Sequence, residues 1–158
     1  MDDLHAARPT PVPWPPILIA AALAAGFVLG RAFPLGWPGL DDTAARVIGY
    51  GLGAAGVALI AWGFVTLRRA GTTIMPHQRA AQLVTDGAFA FRRNPIYMGE
   101  TLVFLGLAEF THNIWFAVLA PVFAISIYAL AIRPEEQHLE ARFGQAYLDY
   151  KERTRRWF

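Results

Sequence analysis

Arg92, Arg93, Asn94 and Tyr97 fall within six consecutive positions, in the run Phe91-Arg92-Arg93-Asn94-Pro95-Ile96-Tyr97-Met98-Gly99, with strongly apolar sequence on either side. Two guanidinium groups, an amide and a phenol are costly at a membrane boundary unless something polar meets them, so the cluster reads as a ligand site. A second polar cluster, Arg133-Pro134-Glu135-Glu136, follows the last apolar stretch. Adjacent carboxylates there can hold a cationic or hydroxyl-bearing ligand, or can simply complement the dipole in the first turn of a helix. Two further groups can take a proton: His77, which titrates near neutral pH, and Glu100, one helical turn beyond Tyr97. Each has a structural alternative, His77 lining or capping a loop and Glu100 pairing with Arg92 or Arg93. His112 and His138 read as interface residues.

The elements that must position these groups are apolar. The 158 residues are 55% hydrophobic with a mean hydropathy of +0.34, and the apolar residues are gathered into long runs. Val47 to Leu67 and Asn113 to Ile132 contain no charge, and each is near the ~20 residues that cross a ~30 Å hydrocarbon core. Trp14 to Gly30 is a third run, opened by Pro15-Pro16, which suit a first helical turn where amide donors are unpaired anyway. Tyr97 to about His112, interrupted by Glu100 and Glu109, is a fourth, and it pairs with the next run as a helical hairpin with Asn113 at the bend. The expected fold is all-α: a polytopic membrane protein of about four transmembrane helices with a C-terminal helical hairpin and an amphipathic cytoplasmic C-terminal helix. Gly49, Gly51, Gly53, Gly56 and Gly63, with several alanines, offer the second span a small-residue face for close packing.

Lysine and arginine set the orientation. Arg68, Arg69, Arg79, Arg92 and Arg93 stand against Asp86 alone in the connection after the second span, whereas the preceding connection sets Arg31 and Arg46 against Asp41 and Asp42. The more basic loop, both termini and the two polar clusters are therefore expected on the cytoplasmic side. A hairpin that enters and leaves on one side brings Arg93 to Tyr97 beside Arg133 to Glu136. The formal net charge of +2 is too small to point to nucleic acid. Cysteine is absent, which excludes disulfides, thiolate metal ligands and a cysteine nucleophile. One domain is expected, with residues 1–70 as scaffold and 71–158 as the functional region. After Arg133, Pro134 suits a helix start and Leu139 and Phe143 share a face, while Glu140, Arg142 and Asp149 read as solvated.

Four segments in order resemble the integral-membrane methyltransferases related to isoprenylcysteine carboxyl methyltransferase and to the phospholipid N-methyltransferases. They are Leu83-Val84-Thr85-Asp86-Gly87-Ala88-Phe89; Arg93-Asn94-Pro95-Ile96-Tyr97-Met98-Gly99; Glu135-Glu136 with Leu139, Phe143-Gly144, Tyr147 and Tyr150; and Arg155-Arg156-Trp157. The resemblance implies use of S-adenosyl-L-methionine, with S-adenosyl-L-homocysteine as product, at the cytoplasmic membrane face. Carried over by position, Ala81, Gln82, Leu83, Val84, Phe89 and Arg93 with Asn94, Pro95, Ile96 and Tyr97 line the cofactor pocket, and Glu135 with Glu136 meets the ribose or the methionyl ammonium. Asn94 stands where eukaryotic members commonly have histidine; an amide donates and accepts but does not titrate. Phe89 stands where tyrosine is common and keeps an aromatic wall for adenine.

The residues complement such a cofactor part by part: Arg93 for its carboxylate, Glu135 for its cation, and Tyr97 and Phe89 for its polar and aromatic groups. Methyl transfer is an in-line displacement that asks for alignment and exclusion of water, so no nucleophilic side chain is needed. His77, Tyr97 and Glu100 are the residues expected at the reacting groups, and no metal is implied. The acceptor is expected to be a lipid or small apolar molecule, with carboxylate, amine and thiol chemistries all open, in a protein of the bacterial inner membrane. Two rival classes carry different expectations: a membrane reductase would bind NADPH, and a non-catalytic membrane subunit would bind neither cofactor.

Overall fold

The computed structural model describes residues 10–36, 43–72 and 82–157. Among these no strand occurs. The elements are α1 (Trp14–Ala32), α2 (Thr43–Arg69), a single turn α3 (Ala88–Phe91), α4 (Pro95–Thr111), α5 (Ile114–Ile127), a π-helical turn (Tyr128–Ile132), α6 (Arg133–Phe143) and α7 (Gln145–Arg153). Among the described residues, three stretches are long and apolar enough to cross a membrane: α1, α2 and the continuous helix Ile114–Phe143. Of the four expected spans, α4 is the one not among them. α4 has 17 residues and carries Glu100 and Glu109, short of the ~20 apolar residues a crossing needs.

The exposed faces are themselves apolar. Val28, Val47, Val57 and Ile125 are each more than half exposed, the distribution that lipid contact favours and water does not. Inside, Phe104 of α4 stacks between Phe116 and Phe123 of α5, with ring centroids 6.4 and 5.0 Å away. Ile127, Ala131 and Ile132 extend this core toward α6, and Leu18, Ala22 and Leu23 of α1 pack on it from outside.

α2 and α4 run antiparallel at very close range. A Cβ built on Gly56 would lie 2.5 Å from the Gly99 carbonyl oxygen, and one on Gly106 would lie 2.5 Å from the Gly53 Cα. Only residues without a Cβ allow two backbones this near, so the glycine face read from the sequence is the α2–α4 seam, except for Gly51, whose Cβ would meet nothing within 4 Å. It sets α4 in place. At the far end of α4, His112 turns the chain at φ +49°. Asn113 then accepts from the Trp115 amide at 3.1 Å and donates to the Gly26 carbonyl at 2.9 Å, tying the start of α5 to α1.

The end of the last apolar run differs from expectation in two ways. Pro134 does not open a new helix, because Ile132 and Arg133 keep right-handed helical dihedrals. Pro134 has no amide to offer the Leu130 carbonyl, four residues back, and its ring crowds that carbonyl. The π-helical turn, closed by the Arg133 amide on the Tyr128 carbonyl, absorbs the mismatch. The expected single C-terminal helix is broken at Gly144, which sits at φ +54° and turns α7 back.

Candidate functional site

The two polar sequence clusters meet at one end of the bundle, around a cavity of about 340 Å³. That volume lies in the range of small-molecule and cofactor sites. Two kinds of wall enclose it. The polar wall comes from the segment before α4, the first turns of α4, α6 and α7. The apolar wall comes from Pro15, Pro16 and Ile19 of α1 and Phe64 and Leu67 of α2. The N-terminal helices read from sequence as scaffold thus also face the cavity.

Local structure explains each position. Gly87, at φ +53°, turns the chain so closely against α2 that a Cβ there would lie 2.6 Å from the Thr66 hydroxyl. Thr66 accepts from the Ala88 amide at 3.3 Å, which docks α3 on α2 and presents Phe89. Asn94 stands at the N-cap of α4 with Pro95 in the first turn, so Tyr97 and Glu100 follow on the face turned toward α6. The Tyr97 hydroxyl donates to Glu135 Oε2 at 3.1 Å, bridging the two clusters through the fold.

Glu136 plays a different part. Arg156 donates from Nε and Nη2 to its two oxygens at 2.9 and 2.6 Å, and Arg93 Nε adds a third bond at 3.3 Å. Two guanidinium groups around one buried carboxylate keep it ionised and fixed. Arg93 Nη1 also donates to the Lys151 carbonyl at 3.0 Å and to the Thr154 carbonyl, and the Arg93 amide donates to the Arg155 carbonyl at 3.0 Å. Arg92 Nε holds the Trp157 carbonyl. The C-terminal residues are thereby latched over the Arg92-Arg93 segment. The Tyr150 hydroxyl donates to the Phe89 carbonyl at 2.7 Å and pins α7 to α3. Burial, reinforced by the nearby Glu136 charge, pushes the Tyr147 and Tyr150 phenols well above their usual value, so both are neutral rings in the wall.

The lining buries polar atoms without a hydrogen-bond partner, among them the donor Asn94 Nδ2 and the acceptor Glu100 Oε2. Such atoms are rare in folded proteins and are what a ligand's polar groups would satisfy.

The cavity brings together Gln82, Leu83, Val84, Phe89, Arg93, Asn94, Pro95, Ile96, Tyr97, Glu100, Glu135 and Glu136. Ala81 and His77 lie outside the described residues. Two expectations change. Arg93 is engaged by Glu136 and two carbonyls, so Glu100 is not paired with it and a ligand carboxylate is better served by Asn94. His138 is only 8% exposed and lines the cavity, in place of the interface position expected from sequence. Its spacing from Glu135, three residues along α6, is the sequence signal that places both on one face. Tyr147 and Tyr150 also line the wall. Among the described residues no group of three His, Cys, Asp or Glu side chains is placed to hold a metal ion.

The structure is thus a helical membrane protein with a largely apolar cavity, edged by polar groups, at one end of its bundle. The chain belongs to the phospholipid methyltransferase family, whose model matches residues 44–146, from the first turn of α2 into α7. Members of that family generally use S-adenosylmethionine to methylate a membrane-associated substrate. Together with the three apolar helices, this makes the chain an integral membrane protein of methyltransferase type.

Two relatives are similar over part of their length. A nickel-cobalt-cadmium resistance protein, NccN, of Alcaligenes xylosoxydans xylosoxydans is 34% identical over 82 residues, 51% of this chain and 38% of that protein. A cobalt-zinc-cadmium resistance protein, CzcN, of Cupriavidus metallidurans is 36% identical over 77 residues, 48% of this chain and 35% of that protein. The match thus spans little more than a third of these curated relatives. No solved structure matches the chain.

Proposed function

We propose that this protein transfers a methyl group from S-adenosylmethionine to a lipid-soluble or membrane-associated acceptor at the cytoplasmic face of a bacterial inner membrane. The observation that carries the reading is the cavity itself, in which buried, unpartnered polar atoms on α4 face an apolar wall built by α1 and α2. When bound, S-adenosylmethionine supplies an electrophilic methyl group on a positively charged sulfur.

The lining fits that cofactor. Asn94 Nδ2 is a buried donor in search of an acceptor such as a carboxylate. Glu135, oriented by Tyr97, offers a carboxylate to an ammonium or a ribose hydroxyl. Phe89, Tyr147 and Tyr150 give ring faces for a base. Gln82, Leu83, Val84, Pro95 and Ile96 close the remaining surface, and Ala81 is assigned to the same wall by its place in the chain. Arg93 and Glu136 act by holding one another, the C-terminal residues and the start of α4 in register.

Glu100, one turn deeper than Tyr97, accepts the acceptor's proton, with His77 as the other candidate. Residues 71–158 carry the cofactor side, and 1–70 contribute the acceptor wall. α4 serves as a fourth, short crossing that forms a hairpin with α5, its two acids turned inward. The cytoplasmic placement rests on the basic residues Arg68, Arg69, Arg92, Arg93, Lys151, Arg153, Arg155 and Arg156, all at the cavity end. The metal resistances named for the two relatives remain theirs, and the proposal gives this chain no metal.

Calorimetric titration of the detergent-purified protein with S-adenosylhomocysteine tests the reading. Saturable binding is expected, weakened at least tenfold by Glu135→Gln. No binding by a folded sample overturns it, and binding of NADPH in its place would identify a reductase.

A further inference from the structure

Outside the cavity, on the exposed face of α2, two aromatic rings and an arginine form a stack. Trp62 of α2 and Phe91 of α3 stack with ring centroids 6.4 Å apart, and each is 45% exposed. The Arg92 guanidinium carbon lies 4.3 Å from the centre of the Phe91 ring. This guanidinium is held in place: Nε donates to the Trp157 carbonyl, and Nη1 donates to the Phe91 carbonyl at 2.7 Å. Among the described residues no carboxylate pairs with it. From Arg68 to Arg93 the sequence sets five arginines against one acid, Asp86. A guanidinium fixed in this way has already lost the freedom that a flexible arginine gives up on binding, and its remaining N–H groups suit the oxygens of a phosphate.

The same face of α2 continues the match in both directions. Arg69 lies seven residues beyond Trp62, two turns and about 10 Å toward the end of the helix. In the other direction Ala58, Ala55 and Gly51 follow Trp62 at spacings of four, three and four, and all three are exposed. A Cβ on Gly51 would meet nothing within 4 Å. Small side chains in line leave a shallow furrow in which an acyl chain can lie. Two cations above a ring pair, with an apolar furrow below, repeat the order of groups in a phospholipid from head to tail, and phosphate is the anion that a bilayer holds at the height of its interfacial aromatic rings.

We propose that this outer face is a binding site for one anionic phospholipid. The phosphate meets Arg92 and Arg69, the glycerol lies beside the Trp62 and Phe91 rings, and an acyl chain follows Ala58, Ala55 and Gly51. None of these residues lines the cavity, so the site is separate from it and independent of the methyltransferase reading. Because Arg92 also holds the Trp157 carbonyl, lipid bound here braces the C-terminal residues latched over the Arg92-Arg93 segment.

The test uses the full chain, delipidated in a non-ionic detergent, and three probes. Phosphatidylglycerol and phosphatidylcholine share one set of acyl chains, and glycerol phosphate has the phosphate without the chains. Binding is read by native mass spectrometry and by the rise in melting temperature with probe concentration. One phosphatidylglycerol per chain is expected, bound at least tenfold more tightly than either other probe. Equal binding of the two lipids overturns the proposal, because the arginines would then not select a net negative head group. Equal binding of glycerol phosphate overturns it by showing a free-anion site with no role for the furrow. Two surface variants that leave the Trp157 bond in place, Arg69→Gln and Trp62→Leu, are each expected to weaken phosphatidylglycerol binding severalfold. Binding unchanged in both would put the lipid elsewhere, the cavity included, and would also overturn the proposal. The wild-type comparison of the three probes decides the question even if a variant does not fold.

Discussion

Arg156 closes a two-pronged ion pair on Glu136, at 2.9 and 2.6 Å, from a position beyond the end of α7. Glu136 is 8% exposed and also receives Arg93, so one carboxylate joins α6, the segment before α4 and the C-terminal residues. A buried carboxylate that loses a guanidinium partner is left undersolvated, which makes the join sensitive to any of its members.

Arg156→Ala is accordingly expected to destabilise the protein by about 2 kcal/mol, less than a fully unpaired buried charge because Arg93 remains. Arg156→Lys should recover only part of this, since an ammonium cannot bond both oxygens in the fork geometry. Thermal unfolding of the two variants in the same detergent checks the order. Equal melting temperatures for wild type and Arg156→Ala would refute it.

The Tyr97–Glu135 bond is expected to matter for ligand binding more than for folding. Tyr97→Phe keeps the ring in the core and removes one donor, a change of about 1 kcal/mol in stability. If Glu135 must be held by Tyr97 to meet the ligand, Tyr97→Phe and Glu135→Gln will be non-additive in S-adenosylhomocysteine affinity. A double-mutant cycle by calorimetry measures this, and strict additivity would show that the two act independently.

Asn94→Leu removes the buried donor Nδ2 at nearly the same volume. Because that donor has no partner in the protein, stability should hold or rise, while affinity for S-adenosylhomocysteine falls about tenfold. A loss of stability with unchanged affinity would place the role of Asn94 in the fold instead.

The α2–α4 seam gives a prediction of packing alone. Gly106→Ala puts a Cβ 2.5 Å from the Gly53 Cα, a backbone atom that no side-chain rotation can move. The helices must separate, at a cost of about 1–3 kcal/mol or more. Gly51→Ala, whose Cβ meets nothing within 4 Å, should be neutral or stabilising because alanine favours the helix. A shared effect of the two substitutions on melting temperature would contradict the seam.

Much of this protein was already determined by its sequence, and for a physical reason. Charge-free runs of membrane length force helices, and the places where arginines and acids interrupt them mark where the polar chemistry must sit. The glycines of α2 announced a packed face, although Gly51 among them lies off it, and the two polar clusters announced a site. The family motifs supplied the same residues independently.

Only the tertiary structure decided how those residues divide the work. Sequence cannot show which of two adjacent carboxylates turns inward, because that depends on the rotation of α6 set by the π-helical turn before it. The turn gives Glu135 to Tyr97 and Glu136 to the arginines. Nor does it show that Arg93 is occupied, since its partners Lys151, Thr154 and Glu136 lie at least 43 residues away and meet it only when α7 folds back at Gly144. His138 followed the same rule: its burial is set by what packs over α6. Local pattern determines which segments are helices and where charge is tolerated; the orientation of each helix about its own axis comes from long-range packing, and that orientation selects the residues that face the cavity.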